Sequence, residues 1–567
     1  MRQSNQLSGA EALVRMLKLH DVEYIFGLCG DTSLPWYDAL RRLNHGISHV
    51  LCRDERSAGY MADGYARVTG KVGVCEGPSG GGATYILPGI AEANESSIPV
   101  LSITSDIAIS SRGRYTLTEL DQEGLFRPVT KWNKVLDRAA DLPRIVRTAF
   151  THMTTGRPGA AHIGLPFDVQ TGAVEEDEIW ADGSLGHFPS RRVGPDPQAV
   201  AHAAELIVAA ERPIFICGGG VVISGAEAEL QSLAERLGAA VATTISGRGA
   251  ISDHHPLALG VVGSNGGTPQ TRAVIERATL VMFVGCRAGS VTTERWRFPS
   301  PRGSKIVHID VDPAVIGANY PVDAALIGDA RLCLRALNAA CDALSVRAKP
   351  RNGTEEFIGK AKAAKFEAFN ELAASEATPI RPERLVAELQ AVVPKDAIIV
   401  ADAGTPCPYF SAYYLQAGTG RHFISNRAHG ALGYAMSAAV GACFGRPGSK
   451  CIAVMGDGSF GFTAGELETI ARYKLPITFV VISNATFGWI KAGQKTKYQG
   501  QYFSVDFSRS DHARVAEAFG IKSWQISEPS ALRKALDTAI NYSGPTLVDV
   551  ISQPLHEARA PVSEWIA

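Results

Sequence analysis

The chain has 567 residues, a formal net charge of −1 and no long basic run, so nothing in it favours nucleic acid or an anionic membrane as a partner. Its apolar runs are strand-length, none nearing the roughly 18 residues of a membrane span, and the opening MRQSNQLSGAEALV has neither the charged nor the apolar region of a signal peptide. The expectation is a cytoplasmic protein of roughly two to four domains, with ten cysteines that form no CxxC pair and sit mostly in apolar runs, which argues against structural zinc.

Residues 7–26 give an amphipathic helix, GAEALVRMLKLHDV, and the strand Tyr24-Ile25-Phe26; the turn Gly27-Leu28-Cys29-Gly30-Asp31 then leads into a second helix, SLPWYDAL. A strand over 48–52 runs into Arg53-Asp54-Glu55, which places Glu55 at a strand end, before a helix with small residues at Ala58, Ala62 and Ala66 that Gly70 closes. A carboxylate there also suits the start of a helix, where the macrodipole stabilises it. Ser79-Gly80-Gly81-Gly82-Ala83-Thr84 is a glycine turn after a strand over 72–75, and backbone geometry alone is one reason for such a run. The acidic, Gly/Pro-rich stretch 171–197 reads as a linker.

A second α/β unit follows, with strands over 213–217, 280–284 and 305–310 and a helix over 226–237. Its Gly218-Gly219-Gly220 run would suit a dinucleotide, but the spacing is not GxGxxG. A second linker over 348–382 contains a Lys/Glu/Ala-rich helix that reads as a solvated connector. The third unit opens on a strand over 397–401, continues into Asp402-Ala403-Gly404-Thr405, and then carries NRAHGALGYAMSAAVGA at 426–442.

The most informative stretch is 450–486, which reads as strand, turn, helix and strand. The uninterrupted run Cys451-Ile452-Ala453-Val454-Met455 suits a parallel strand covered on both faces, and Gly456-Asp457-Gly458 breaks it. Thr463 and Glu466 stand as a capping box for a helix whose apolar face is Leu467, Ile470 and Ala471, and a strand over 477–482 follows. The right-handed crossover of such a unit brings Asp457 and Asn484 to one carboxyl edge, although 27 positions separate them. A carboxylate, an amide oxygen and a nearby carbonyl are hard ligands, better suited to magnesium or calcium than to zinc, and a diphosphate would complete the shell.

GDG followed by about 25 residues and an Asn resembles the diphosphate-and-metal motif of thiamine diphosphate enzymes, which implies Asp457, Asn484 and the Thr486 carbonyl as ligands. The family's usual Asn-Asn is Ser483-Asn484 here. The opening segment resembles that of acetolactate synthases, with Cys29 at the family's proline, and RDERSAGYMADGYARVTGKVGV resembles the family segment that carries its catalytic glutamate. The resemblance implies that Glu55 contacts the aminopyrimidine N1′ and shifts it to the imino tautomer, a task that needs a desolvated carboxyl able to hold a proton near neutral pH. The 79–84 turn resembles the family's SGPGAT, while DQEGLFRPVTKWN (121–133) and GRPGAAHIGLPFDV (156–169) resemble the tail of the same domain, with Gln122 at a substrate-facing position. The resemblance further implies Gly404, Thr405, Gly456, Gly458 and Ser459 around the diphosphate, Gly430 as the carbonyl for the 4′-amino group, and Leu432 as the bulky residue that holds the cofactor bent. His429 replaces the family's usual apolar residue beside Gly430, which by the resemblance would put it next to the reacting carbon; Trp489 and Ile490 fall where the family lines its substrate pocket, and Gly493 stands where many biosynthetic acetolactate synthases carry a tryptophan.

The resulting expectation is an α/β protein of three doubly wound parallel-sheet domains: pyrimidine-binding over 1–172, middle over 193–345 and diphosphate-binding over 380–567. The resemblance implies thiamine diphosphate and Mg2+, a middle domain that holds FAD, ADP or neither, and a homodimer or homotetramer with active sites between subunits. The expected activity is decarboxylation of a 2-oxo acid with transfer of the acyl anion equivalent. GFTAGELETIARYKLP also resembles oxalyl-CoA decarboxylases, which keeps an acyl-CoA lyase or decarboxylase as an alternative. A dinucleotide-dependent oxidoreductase rests only on Gly218 to Gly220.

Overall fold

Three six-stranded sheets, each wholly parallel, organise the chain in the computed structural model, which describes residues 6–345, 349 and 352–565. Buried parallel strands read as continuous apolar runs, and the three cores are built on them. The first sheet has the order Ser48–Leu51, Tyr24–Gly27, Gly73–Gly77, Val100–Asp106, Ala161–Pro166, Trp132–Val135. The second has Ala258–Val261, Ala240–Thr243, Pro213–Cys217, Leu280–Val284, Lys305–Asp310, Ala324–Ile327. The third has Phe423–Ser425, Ile398–Ala401, Cys451–Gly456, Ile477–Ser483, Thr546–Ile551, Lys522–Ile526. The expected fold class is therefore the observed one.

The chain forms two compact units. The first comprises residues up to 191 together with Asn426–Gly448 and Thr463–Leu475. In it, the helices Glu55–Thr69 and Tyr434–Gly445 touch backbone to backbone: a Cβ on Gly64 would lie 2.2 Å from the Ala438 carbonyl oxygen, and one on Gly441 1.9 Å from that of Met61. Any larger residue at either glycine must push the helices apart, and YAMSAAVGACFG, mostly small residues and buried over Tyr434–Cys443, suits that close approach. The second unit holds the other two sheets.

The structure corrects the linker expectations. Within 171–197, Ala173–Glu175 pairs antiparallel with Gln6–Ser8, and Leu185 is buried in the first core. Its acidic composition hid apolar residues that find partners in the core. The helix Asn352–Ala373 is likewise no free connector, because Ile358 packs into the second core while Phe369 and Ala373 pack into the third. On the same stripe Lys365 is only 5% exposed. Its ammonium faces the rings of Phe366 and Tyr413 at 5.4 and 5.6 Å, and burial lowers its pKa to about 8. The start of that linker, at 348, 350 and 351, lies outside the described residues.

Candidate active site

In the third sheet, Ile398–Ala401, Cys451–Gly456 and Ile477–Ser483 are neighbours in parallel register. The segments leaving them, 402–405, 457–459 and 484–486, therefore meet at one carboxyl edge, the usual ligand crevice of such sheets. The helix Asp457–Thr463 begins on the residue after its strand. Oδ1 of Asp457 accepts the Gly458 N–H at 2.8 Å, and Oδ2 accepts those of Asn484 at 2.7 Å and Ala485 at 2.6 Å. Ala485 adopts a left-handed φ of 57°, which turns the strand end back on Asp457. Burial raises the Asp457 pKa above the ordinary carboxylate value even with these three donors around it.

Beside this carboxylate, Oδ1 of Asn484 is buried and has no hydrogen-bond partner. An orphaned buried acceptor costs on the order of 1–3 kcal/mol, so the position calls for a donor or a cation. Oδ1 of Asp457 keeps a lone pair beyond its single hydrogen bond. This oxygen set fits a hard divalent cation. Thr486, also buried, donates its hydroxyl to the Val505 carbonyl at 2.9 Å, which fixes the residue beside Asn484.

The expected diphosphate residues divide into two kinds. Gly404, with φ of 86°, and Gly456 have no heavy atom within 4 Å of where a Cβ would lie, so their backbone is open to a ligand. Gly458 is needed for packing instead, since a Cβ there would come 2.8 Å from the Phe487 ring. Ser459 donates its hydroxyl to the Asp402 carboxylate, which also accepts the Ala403 N–H at 2.9 Å. Thr405 is buried at the start of the helix Pro406–Tyr413.

Trp489 and Ile490 open the helix Gly488–Lys497. Ile490 is 55% exposed, while Trp489 lies edge-on to Trp565 with ring centroids 5.1 Å apart. A Cβ on Gly493 would sit 3.9 Å from that of Trp565, so the chain's last described residue occupies the space beside the missing side chain.

In the first unit, Glu55 is the first residue of its helix and 6% exposed. Burial raises its carboxyl pKa, and the negative neighbours Asp54 and Glu76 push the same way. Gly77 and Gly82 make room for it: a Cβ on either would come within 3.1 Å of the Glu55 side chain. The glycine turn at 79–84 is thus part of the Glu55 pocket as well as a backbone device. Gly430 is exposed with φ of 74°, His429 beside it is exposed, and Leu432 is half-buried. Gln122, by contrast, is 1% exposed; its amide accepts from Thr104 Oγ1 and donates to the Ser105 carbonyl at 2.9 Å.

Three features differ from the sequence reading or were absent from it. The Thr463–Glu466 capping box is not formed: the helix that carries Leu467 and Ile470 runs over Leu467–Tyr473 after a 3₁₀ turn at Ala464–Glu466, the Thr463 hydroxyl donates to the Gly433 carbonyl at 3.3 Å, and Glu466 accepts the Arg53 N–H at 2.8 Å and the Thr469 hydroxyl at 2.8 Å. Gly218 and Gly220 serve close packing: a Cβ on them would lie 2.1 Å from the Gly285 oxygen and 2.7 Å from its Cα. Behind Asn484, the Ser483 hydroxyl donates to Asp549 and stands 3.0 Å from His512 Nδ1, a network that no local motif announces.

Three domain models of one family match the chain: "Thiamine pyrophosphate enzyme, N-terminal TPP binding domain" over residues 7–125, "central domain" over 200–337 and "C-terminal TPP binding domain" over 402–550. The "Probable acetolactate synthase large subunit" of Methanococcus aeolicus is 37% identical over 570 residues, covering 97% of this chain and 92% of that protein. The "Acetolactate synthase" of Arthrospira platensis is 32% identical, covering 96% and 94%. The "Acetolactate synthase isozyme 3 large subunit" of Escherichia coli strain K12 is also 32% identical, covering 94% and 92%.

Proposed function

This chain belongs to the thiamine pyrophosphate enzymes, in their acetolactate synthase-like branch, and from that premise we propose that the residues described above hold thiamine diphosphate and Mg2+ for the decarboxylation of a short 2-oxo acid and transfer of its acyl fragment. A thiamine diphosphate-dependent decarboxylating carboligase is the activity that the full-length relatives indicate. Neither the acyl-CoA lyase nor the dinucleotide oxidoreductase reading is favoured, and for the second Gly218 and Gly220 already have a packing role against Gly285.

When bound, the cofactor supplies a carbon nucleophile and a sink for the electron pair released with carbon dioxide. Asp457, Asn484 Oδ1 and the Thr486 carbonyl would hold the metal. The diphosphate would lie on the open backbone of Gly404 and Gly456, near Thr405, Gly458 and Ser459. Glu55 would keep a proton on the pyrimidine N1′, and its desolvated, raised carboxyl suits that task. Gly430 would offer its carbonyl to the 4′-amino group, Leu432 would support the bent cofactor, and exposed His429 would meet the donor carboxylate. Trp489 and Ile490 would bound the donor pocket, and Gln122 would join them only by releasing Thr104 or Ser105.

Copies of the chain would assemble as a homodimer or homotetramer whose active sites lie between subunits. Cytoplasmic action is proposed as well; among the described residues no helix is long and apolar enough to cross a membrane. The partnerless Asn484 Oδ1 beside Asp457 carries the metal part of this reading. Calorimetric titration of thiamine diphosphate with and without Mg2+ tests it: binding that requires the metal is expected, and equal affinity after chelation contradicts it.

A further inference from the structure

Glu92 lies on the helix Leu87–Glu95 and is 1% exposed, in a stretch, AEANESS, that carries no catalytic motif. Its carboxylate gathers three consecutive amides of an exposed loop. Oε2 accepts the N–H of His429 at 2.8 Å and of Gly430 at 3.2 Å, and Oε1 accepts that of Ala428 at 3.4 Å. The Ser96 hydroxyl also donates to Oε1 at 2.7 Å, and the Arg67 guanidinium does so at 3.3 Å. Arg67 in turn pairs with Asp63 at 2.7 Å, and Asp63 accepts the hydroxyl of Tyr434, the first residue of the helix that follows the loop.

We infer that Glu92 is a positioning residue, fixing the 428–430 loop so that Gly430 and His429 are presented in one conformation. The assignment of those two residues to the cofactor and donor rests on the reading above; the hold on the loop does not. In a planar trans peptide an N–H and the preceding carbonyl point in opposite directions, so amides turned towards Glu92 send the carbonyls of Ala428 and His429 away from it. With the Gly430 amide held and its φ at 74°, a single torsion is left to aim its own carbonyl. Exposed loop residues bury too little to fix themselves, whereas charge-assisted bonds to a buried carboxylate compensated by Arg67 do so. Glutamine at this position presents an NH2 group where a second acceptor is needed.

Hydrogen–deuterium exchange of the holoenzyme, read on peptides covering 426–433, tests this in the wild type and in Glu92→Gln. In the wild type the amides of 428–430 are expected to exchange at least tenfold more slowly than free loop amides; open-loop rates there overturn the inference without any variant. In Glu92→Gln these amides should exchange at least tenfold faster while Tyr434–Gly445 stays protected, and unchanged protection overturns the inference. With pyruvate as donor, kcat should fall more than thiamine diphosphate affinity. Faster exchange at wild-type kcat supports the hold on the loop and refutes instead the roles given to Gly430 and His429.

Discussion

The backbone N–H of Asn484 donates to Oδ2 of Asp457 at 2.7 Å across 27 positions of sequence, while the Asn484 side-chain oxygen is buried and without a partner. Two adjacent strand ends thus converge on a site in which one acceptor awaits a positive charge. Asp457→Ala should abolish retention of thiamine diphosphate through gel filtration, and Asn484→Ala should weaken it in a way that excess Mg2+ partly offsets. Full retention by both variants would contradict the metal assignment.

Glu55→Gln should leave the fold and metal binding intact while slowing proton exchange at the cofactor's C2 by roughly 10² or more, the scale for acid–base groups. The environment for this role is visible in the burial of Glu55 and in the bare glycines 77 and 82 against it. Proton exchange followed by NMR after acid quench gives the rate, and a wild-type rate in the variant would remove Glu55 from the mechanism.

Lys365→Met should stabilise the protein at neutral pH by on the order of 1–3 kcal/mol, because an apolar side chain replaces an ammonium held out of water. The folded-state pKa of about 8 lies below the ordinary 10.5, so between these values the unfolded chain binds more protons and wild-type stability rises with pH. The variant's advantage should be full below about pH 8 and shrink towards pH 10.5 in chemical denaturation. A variant less stable than the wild type across that range would contradict the account.

How much of this was legible in the sequence depended on the kind of residue. Strands such as Pro213–Cys217, Leu280–Val284 and Lys305–Asp310 were readable from their apolar runs, and the Asp457/Asn484 unit from the order of its elements. Ala240–Thr243, Ala258–Val261 and Ala324–Ile327 were missed, since short Ala-rich runs carry no period that separates strand from helix. Glu466 looked like a cap because its spacing from Thr463 was right; the Arg53 amide, 413 positions away, claims it instead. Glu92 gave no signal at all, because what makes it special is the loop it meets 337 positions later.

Trp489→Ala should widen the donor range towards bulkier 2-oxo acids if the indole, which packs with Trp565 against the third core at the start of the Gly488–Lys497 helix, bounds the donor pocket as proposed. His429→Ala should lower kcat more than it lowers cofactor affinity, because the loss falls on the reacting donor. Comparison of kcat/KM across a series of 2-oxo acids checks both. Unchanged donor profiles and turnover would make these side chains packing groups and move the pocket towards Gln122.

The most direct measurement is carbon dioxide release from a panel of short 2-oxo acids, with product analysis in the presence of an acceptor carbonyl compound. The wild-type protein with thiamine diphosphate and Mg2+ should release carbon dioxide from at least one donor and join the remaining acyl fragment to the acceptor. Chelation should stop the reaction, Mg2+ should restore it, and Asp457→Ala should be inactive throughout. Release that persists without the cofactor and after chelation, or that is undiminished in Asp457→Ala, would contradict the account.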